Sequence, residues 1–429
     1  MKQQMHISDA NQTAIWMKRM AFLAALAASI AIPGLSLQAQ CPAPELTSGL
    51  QRPGGIIRSG QKNLLVSETG TGAHDGRVTL VDLSGNRRAL LSGLPSGIAD
   101  VGDPSGPAGL FRRGNTLYVA IGIGDSVRLG PTAGTLVPNP NGASSPIFSS
   151  VLAIQCNDDF VERTTEGFTL SLADQQSLAM GQRVKLSNGG CDKITIEMVV
   201  KFPNFVANPL ASLLTNVRGS NPFGLVLAGD RQRHDREVGK DRRQGDFLYV
   251  TDGGRNLVWK VDVASGAFSI LADFPLTPNP LSPGLGGPFS EAVPTGITCS
   301  GGTLLVALFR GVPFAPGSSA VVPVDPQTGS YIDPLTGGQL PFITGLKTAI
   351  GVLPIRKQGD TDYLVLQHAS AGPFFGSPGL LLRFEATGAP PAVIADCLTR
   401  PTSMTLDEET GTLYVTELAG RIVAIPVSQ

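Results

Sequence analysis

Six short runs along the chain share one hydrophobic pattern: LLVSETG from Leu64, TLYVAIG from Thr116, FLYVTDG from Phe247, TLLVALF from Thr303, DYLVLQH from Asp362 and TLYVTEL from Thr412. Each is a run of β-branched, aromatic and leucine residues ending in a turn or polar residue, which is how a buried strand should look. Ahead of each run stands a second motif, Pro-x-Gly followed by an aliphatic residue. The copies are Pro53-Gly54-Gly55-Ile56, Pro107-Ala108-Gly109-Leu110, Pro222-Phe223-Gly224-Leu225 and Pro294-Thr295-Gly296-Ile297, with degenerate versions at Ala349-Ile350-Gly351-Val352 and Pro401-Thr402-Ser403-Met404. Two further strand-like runs follow each pair, as in GRVTLVDL then RALLSGL and in GLLLRFEA then PAVIADCL.

The repeat unit is about 50 residues, with two longer intervals that mark insertions, and this period fits a four-stranded propeller blade. The sixth copy has only GRIVAIPV after its pair, while PELTSGLQRPGG near the other end offers a spare short strand. The expected fold is therefore all-β: a six-bladed β-propeller of four-stranded blades, closed by the N-terminal strand pairing with the C-terminal blade. Closure of that kind removes the exposed edge of an open ring. A β-sandwich of repetitive strands is the competing architecture.

Composition sharpens this picture. The 429 residues include 52 glycines and 33 prolines, with 42% hydrophobic and 16% charged residues and a formal net charge of −1. So much Gly and Pro favours turns over long helices, and the apolar fraction is enough for a large core. Near neutrality without basic clusters speaks against a nucleic-acid partner.

At the amino terminus, Lys18 and Arg19 precede the apolar run AFLAALAASIAI, and the small-residue context LQA ends at Ala39. This is the layout of a secretory signal peptide over residues 1–39, leaving 40–429 as one propeller domain that is secreted or periplasmic. The run is about twelve residues long, short of the roughly twenty a membrane helix needs, so no transmembrane segment is expected. Cys41, next to the cleavage point, follows Gln40 rather than the small residue that precedes a lipidated cysteine.

Several segments resemble one family. SETGTGAHDGRVTLVDLSGNRRALLSGL, SNPFGLVLAG, LYVTDGGRNLVWKVD, AVPTGITC and GVPFAPGSSAVVPVD are similar to the ScyD/ScyE family of secreted NHL-like, SMP-30-like propellers, from Glu45 to the end of the chain. The resemblance implies a periplasmic or extracellular six-bladed propeller linked, in cyanobacteria, with the pathway to the indolic pigment scytonemin. It brings no catalytic motif that transfers residue by residue.

Strand order in a propeller places the starts of first strands and the connections from second to third strands on one face. On that face should fall 310–319, 369–378, 127–146 and the inter-blade loop 275–293, all rich in Pro, Gly and Phe. Phe289, Phe314, Phe374 and Phe375 would there offer aromatic surface to a small molecule or a protein partner. The alternative is that they only fasten the loops to the disc. On the opposite face are expected the charged loop insertion 230–246 and a β insertion at 157–192, the latter clamped by a Cys156–Cys191 disulfide in an oxidising compartment. Cys299 and Cys397 read as small buried hydrophobes.

Second-strand ends collect Glu68, Asp252, His368 and Glu417, with Asn221 just before a first strand. Around a polar channel these would bind Ca²⁺ or another divalent cation, or serve as acid and base in hydrolysis. Acids at strand ends also simply accept hydrogen bonds from turn amides, and His368 reads as a satisfied wall histidine. No G-x-S-x-G, Walker, H-E-x-x-H or dinucleotide motif occurs. The favoured reading is a monomeric, non-catalytic binding or scaffold propeller. The alternative is a metal-dependent, lactonase-like hydrolase or sugar-dehydrogenase-like enzyme.

Overall fold

The computed structural model describes residues 41 and 43–427, apart from 133, 157–160, 162–163, 190–191, 210–212, 214, 230–245, 332–342, 358–359 and 386–388. The fold is a six-bladed β-propeller, and every blade lies within the unit Ala39–Gln429. The first two strands of the blades are Pro53–Ser59 and Asn63–Glu68, Pro107–Arg113 and Thr116–Ile121, Pro222–Gly229 and Asp246–Asp252, Pro294–Ser300 and Thr303–Leu308, Ala349–Lys357 and Asp360–Gln367, and Pro401–Asp407 and Thr412–Glu417. Blades 1 to 6 follow in that order. In blade 6 the fourth strand is Glu45–Thr47, paired antiparallel with Arg421–Pro426, so the ring closes through its amino-terminal strand as expected.

The TLYV-type runs are apolar at every position because each face of the second strand meets a different blade. Leu248 and Val250 pack with Tyr118, Val151 and Phe202 of blade 2, whereas Tyr249 between them packs with Leu304 and Val306 of blade 4. Alternating side chains thus serve two cores, which is why the polar-apolar alternation of a one-sided strand is missing.

The Pro-x-Gly motif has a geometric cause. In each of the first four blades it forms a bulge between the Pro and the aliphatic residue, as between Pro107 and Leu110. Its glycine touches the backbone of the next blade: a methyl built on Gly55 would lie 2.6 Å from the Ala108 carbonyl oxygen, and on Gly109, Gly224 and Gly296 it would overlap Phe223, Thr295 and Ile350 in the same way. Hydroxyl groups complete these seams, with Ser67 donating to the Ala108 carbonyl and Thr251 to that of Thr295. Blades 5 and 6 have a shorter bulge, and there the constraint lapses: a methyl on Gly351 would have 3.8 Å of clearance. Ser403 fits in the glycine's place, and Thr402 Oγ1 donates to the Pro53 carbonyl across the closing seam at 2.7 Å.

Two sequence expectations need correction. Cys397 is not a solitary buried hydrophobe, since it forms a disulfide with Cys41. That bond joins the outer strand of blade 5 to the segment leading into the outer strand of blade 6, beside the closure. The insertion after blade 2's third strand is only partly β. Phe168–Thr169 adds to the edge of blade 1 and Val184–Ser187 to the edge of blade 2, but between them runs a helix, Leu172–Ala179. Ser171 and Asp174 form a reciprocal capping box that starts the helix where period-two alternation alone reads as strand. Gln175 then anchors it, donating to the Gly93 carbonyl at 2.9 Å and accepting from Ser145. Cys156 is buried at the base of this insertion, while Cys191 and the loop 230–245 lie outside the described residues, as do residues 1–39. Among the described residues no helix is long and apolar enough to cross a membrane.

Candidate functional site

Six equivalent hydrogen bonds define one tier of the ring. The residue after each second strand donates its N–H to the carbonyl of the residue before the first strand: Thr69 to Arg52, Gly122 to Gly106, Gly253 to Asn221, Phe309 to Val293, His368 to Thr348 and Leu418 to Arg400. Phe309 and His368 therefore hold the same position in adjacent blades, and their rings lie 5.7 Å apart.

One residue earlier sits a second tier, the cross-strand partner of the first strand's opening residue. It holds Glu68, Ile121, Asp252, Leu308, Gln367 and Glu417. The three carboxylates are all buried and all engaged. Glu68 accepts from Arg77 through Nε at 2.8 Å and Nη2 at 2.9 Å, and also from the Thr79 hydroxyl and the Gln51 N–H. Glu417 repeats the design with Arg421 Nε at 2.7 Å and the Thr399 N–H at 2.6 Å. Asp252 takes the Ser220 hydroxyl, the Asn221 N–H at 2.7 Å, the Arg255 N–H at 3.1 Å and the Trp259 indole N–H at 3.0 Å. Burial pushes the Asp252 carboxyl up, and these donors and the Arg255 charge only partly pull it back. Gln367 does the same work without a charge, accepting the Lys347 N–H at 2.5 Å. The Asn221 side chain is also engaged, its oxygen accepting the Ile123 N–H at 3.1 Å.

Glu68, Asp252, Gln367 and Glu417 thus latch the chain entering blades 1, 3, 5 and 6 to the end of the second strand. Among the described residues, the one grouping of His, Cys, Asp and Glu within metal-ligand reach is Cys41, Asp396 and Cys397, and its two sulfurs are already joined.

Of the four phenylalanines expected on the loops, Phe314 and Phe375 come together, joined by Phe309 and His368. The loop 275–293 meets 310–319 through the Gly311 N–H on the Glu291 carbonyl at 2.8 Å, and 310–319 meets 369–378 through the Phe374 N–H on the Pro313 carbonyl at 2.9 Å. Phe314 and Phe375 stack at 4.4 Å, Phe309 stands edge-on to both, and His368 lies 5.0 Å from Phe375. Phe374, next to Phe375 in the chain, is 46% exposed, and Phe289, paired with Pro278 within its own loop, is 58% exposed. His368 Nδ1 is 3.0 Å from the Pro401 carbonyl oxygen. Desolvation, with the nearby Arg400 charge, pulls the imidazole down to about 4 despite that contact, so it is neutral at pH 7 with its proton on Nδ1. Its Nε2 is then an acceptor with no hydrogen bond among the described residues.

Sequence reasoning missed the cations here. Arg400 lies over the Phe375 ring, its guanidinium carbon 4.7 Å from the centroid, and donates to the Phe375 carbonyl. Lys347 is only 2% exposed, its Nζ donating to the carbonyls of Ala371 at 2.5 Å and Phe374 at 2.7 Å. The one signal was position: both stand just ahead of a first strand, where the loops of neighbouring blades converge.

No family model matches this sequence, and no curated protein matches it. Solved structures do. They include a soluble aldose sugar dehydrogenase from Escherichia coli in the apo form, 13% identical with a TM-score of 0.45, covering 90% of this chain and 99% of that one. A PQQ-bound aldose sugar dehydrogenase from Streptomyces coelicolor is 12% identical at TM-score 0.45, covering 90% and 96%. A streptogramin B lyase is 12% identical at 0.41, covering 90% and 95%. What this chain is similar to, then, is a set of dehydrogenase and lyase propellers at low identity.

Proposed function

We propose that this chain is a secreted or periplasmic propeller, of the kind the ScyD/ScyE resemblance implies, that binds a small aromatic molecule without transforming it. The observation that carries the reading is the cluster of Phe309, Phe314, Phe375 and His368, assembled from two adjacent blades and continued by the exposed ring of Phe374. Half-buried rings held by neighbouring rings supply stacking area at little cost in side-chain entropy. The saturation of Glu68 and Asp252 by four internal donors each, and the pairing of Glu417 with Arg421, support binding over hydrolysis, because a general base or a metal ligand needs a free lone pair directed at its target. The Cys41–Cys397 disulfide and the signal-like segment at 18–39 support an oxidising compartment.

Calorimetric titration with 2-naphthamide, a neutral planar probe, tests the reading. Saturable binding that weakens about tenfold in Phe374→Ala is expected, from the loss of the exposed ring beside the cluster. Equal affinity in the variant would place the ligand elsewhere.

A further inference from the structure

Two cations stand at one end of the aromatic cluster without an anion. Lys347 is buried and bonded only to carbonyl oxygens, and neither it nor Arg400 lies within ion-pair reach of a carboxylate among the described residues. The two are close enough that the Arg400 charge adds to desolvation in lowering both Lys347 and His368. The Arg400 guanidinium has one committed nitrogen, Nη2, on the Phe375 carbonyl, whereas its Nη1 is buried with no hydrogen-bond partner. Burying a charged donor without an acceptor is costly, and such a group marks either strain or a missing partner. Arg58, Arg88 and Arg255 also bury an Nη1 without a hydrogen-bond partner, but Arg58 has Asp407 in ion-pair reach and Arg255 feels the Asp252 charge, and Arg77, Arg421 and Arg383 pair with Glu68, Glu417 and Asp362. What sets Arg400 apart is a second cation, Lys347, beside it, with no carboxylate in reach of either among the described residues.

We propose that Arg400 and Lys347 form an anion subsite at the edge of the stacked rings, so that the ligand class is a planar aromatic acid. The carboxylate would sit against the Arg400 guanidinium, whose buried Nη1 would turn outward to meet it, with Lys347 adding positive potential behind its two carbonyl contacts, while the ring lies on the exposed face of Phe374, since Phe314 and Arg400 cover the two faces of Phe375. His368 contributes an acceptor rather than a third charge, since its Nδ1 proton is committed toward Pro401. That acceptor suits a ligand carrying a ring N–H or O–H in addition to its acid group. Guanidinium groups recognise carboxylates through directional, charge-assisted hydrogen bonds, and half-exclusion of water at the site strengthens them.

This inference rests on the aromatic-binding reading above, and the experiment separates the two. The full chain is titrated with 2-naphthoate, with its neutral isostere 2-naphthamide, and with acetate, at low and at physiological salt, for wild type, Arg400→Gln and Lys347→Met. Expected is at least about a tenfold preference for naphthoate over naphthamide in wild type, as a charged hydrogen bond warrants. That preference should shrink with salt and vanish in Arg400→Gln. Equal affinity for naphthoate and naphthamide overturns the anion subsite and leaves the aromatic site standing. Acetate binding as tightly as naphthoate keeps the anion subsite and overturns the aromatic one, and failure of all three probes overturns both. Should Arg400→Gln fail to fold, the naphthoate-to-naphthamide ratio in wild type still decides.

Discussion

Glu68 is the carboxylate whose role can be weighed most directly. In Glu68→Ala the Arg77 guanidinium loses both of its charge-assisted hydrogen bonds, and the Thr79 hydroxyl and Gln51 N–H lose their acceptor. Removing one partner of a buried pair costs about 3–5 kcal/mol, and because the Arg77 side chain is 30% exposed and can rehydrate, the low end of about 3 kcal/mol applies. Unfolding entropy of roughly 2.1 cal/mol/K per residue, over a unit spanning Ala39–Gln429, gives about 0.8 kcal/mol per kelvin, so Tm should fall by about 4 K. Differential scanning calorimetry reads this directly. Blade 4 supplies an internal control, since Leu308 holds the same position and faces Ala320 on the third strand, just as Glu68 faces Arg77. The double substitution Glu68→Leu with Arg77→Ala copies that pair and should recover more than half of the loss. The reasoning would be refuted if Glu68→Ala melted within about 1 K of wild type while a chelator lowered the wild-type Tm, because Glu68 would then be acting on a metal and not on the chain.

Three further outcomes are expected. The Cys41–Cys397 bond spans 356 residues, for which chain entropy sets a ceiling of about 6 kcal/mol and about 2–4 kcal/mol is the usual yield. Cys397→Ser should therefore lower Tm by several kelvin, and the added reductant that shifts wild type should leave the variant unmoved. Gly109→Ala, which drives a methyl into the Phe223 carbonyl, should be far more destabilising in urea titration than Gly351→Ala, where the nearest atom is 3.8 Å away. His368 titrates near 4 in the fold against 6.5 in the unfolded chain, so its contribution is present above about pH 6.5 and is lost as pH falls toward 4. The loss amounts to about 3 kcal/mol, and His368→Gln should flatten urea midpoints over that window.

The ring was legible because each blade writes the same two physical demands into sequence. An apolar run must satisfy two cores at once, and a glycine must let neighbouring backbones touch, so Gly55, Gly109, Gly224 and Gly296 announced the architecture. The disulfide was not legible, because Cys41 and Cys397 become neighbours only once the ring has closed, and local context at Cys397 says merely "strand". Carboxylates at second-strand ends were correctly placed in the fold, yet sequence spacing could not reveal that Arg77 and Arg421 stand opposite Glu68 and Glu417. The Phe-rich loops share one neighbourhood because strand order dictates it. Arg400 and Lys347 went unseen because a single basic residue before a strand has no periodicity to betray it.

The closing strand also imposes an order in time. Glu45–Thr47 leads the propeller, yet its partner Arg421–Pro426 follows all the other blades in the chain, so blade 6 cannot be finished until every other blade has been synthesised. The disulfide beside that closure forms only after the two ends have met. Loss of the Cys41 and Cys397 thiols is therefore a chemical timestamp of completion, and alkylation of chains sampled during oxidative refolding would count the finished rings directly.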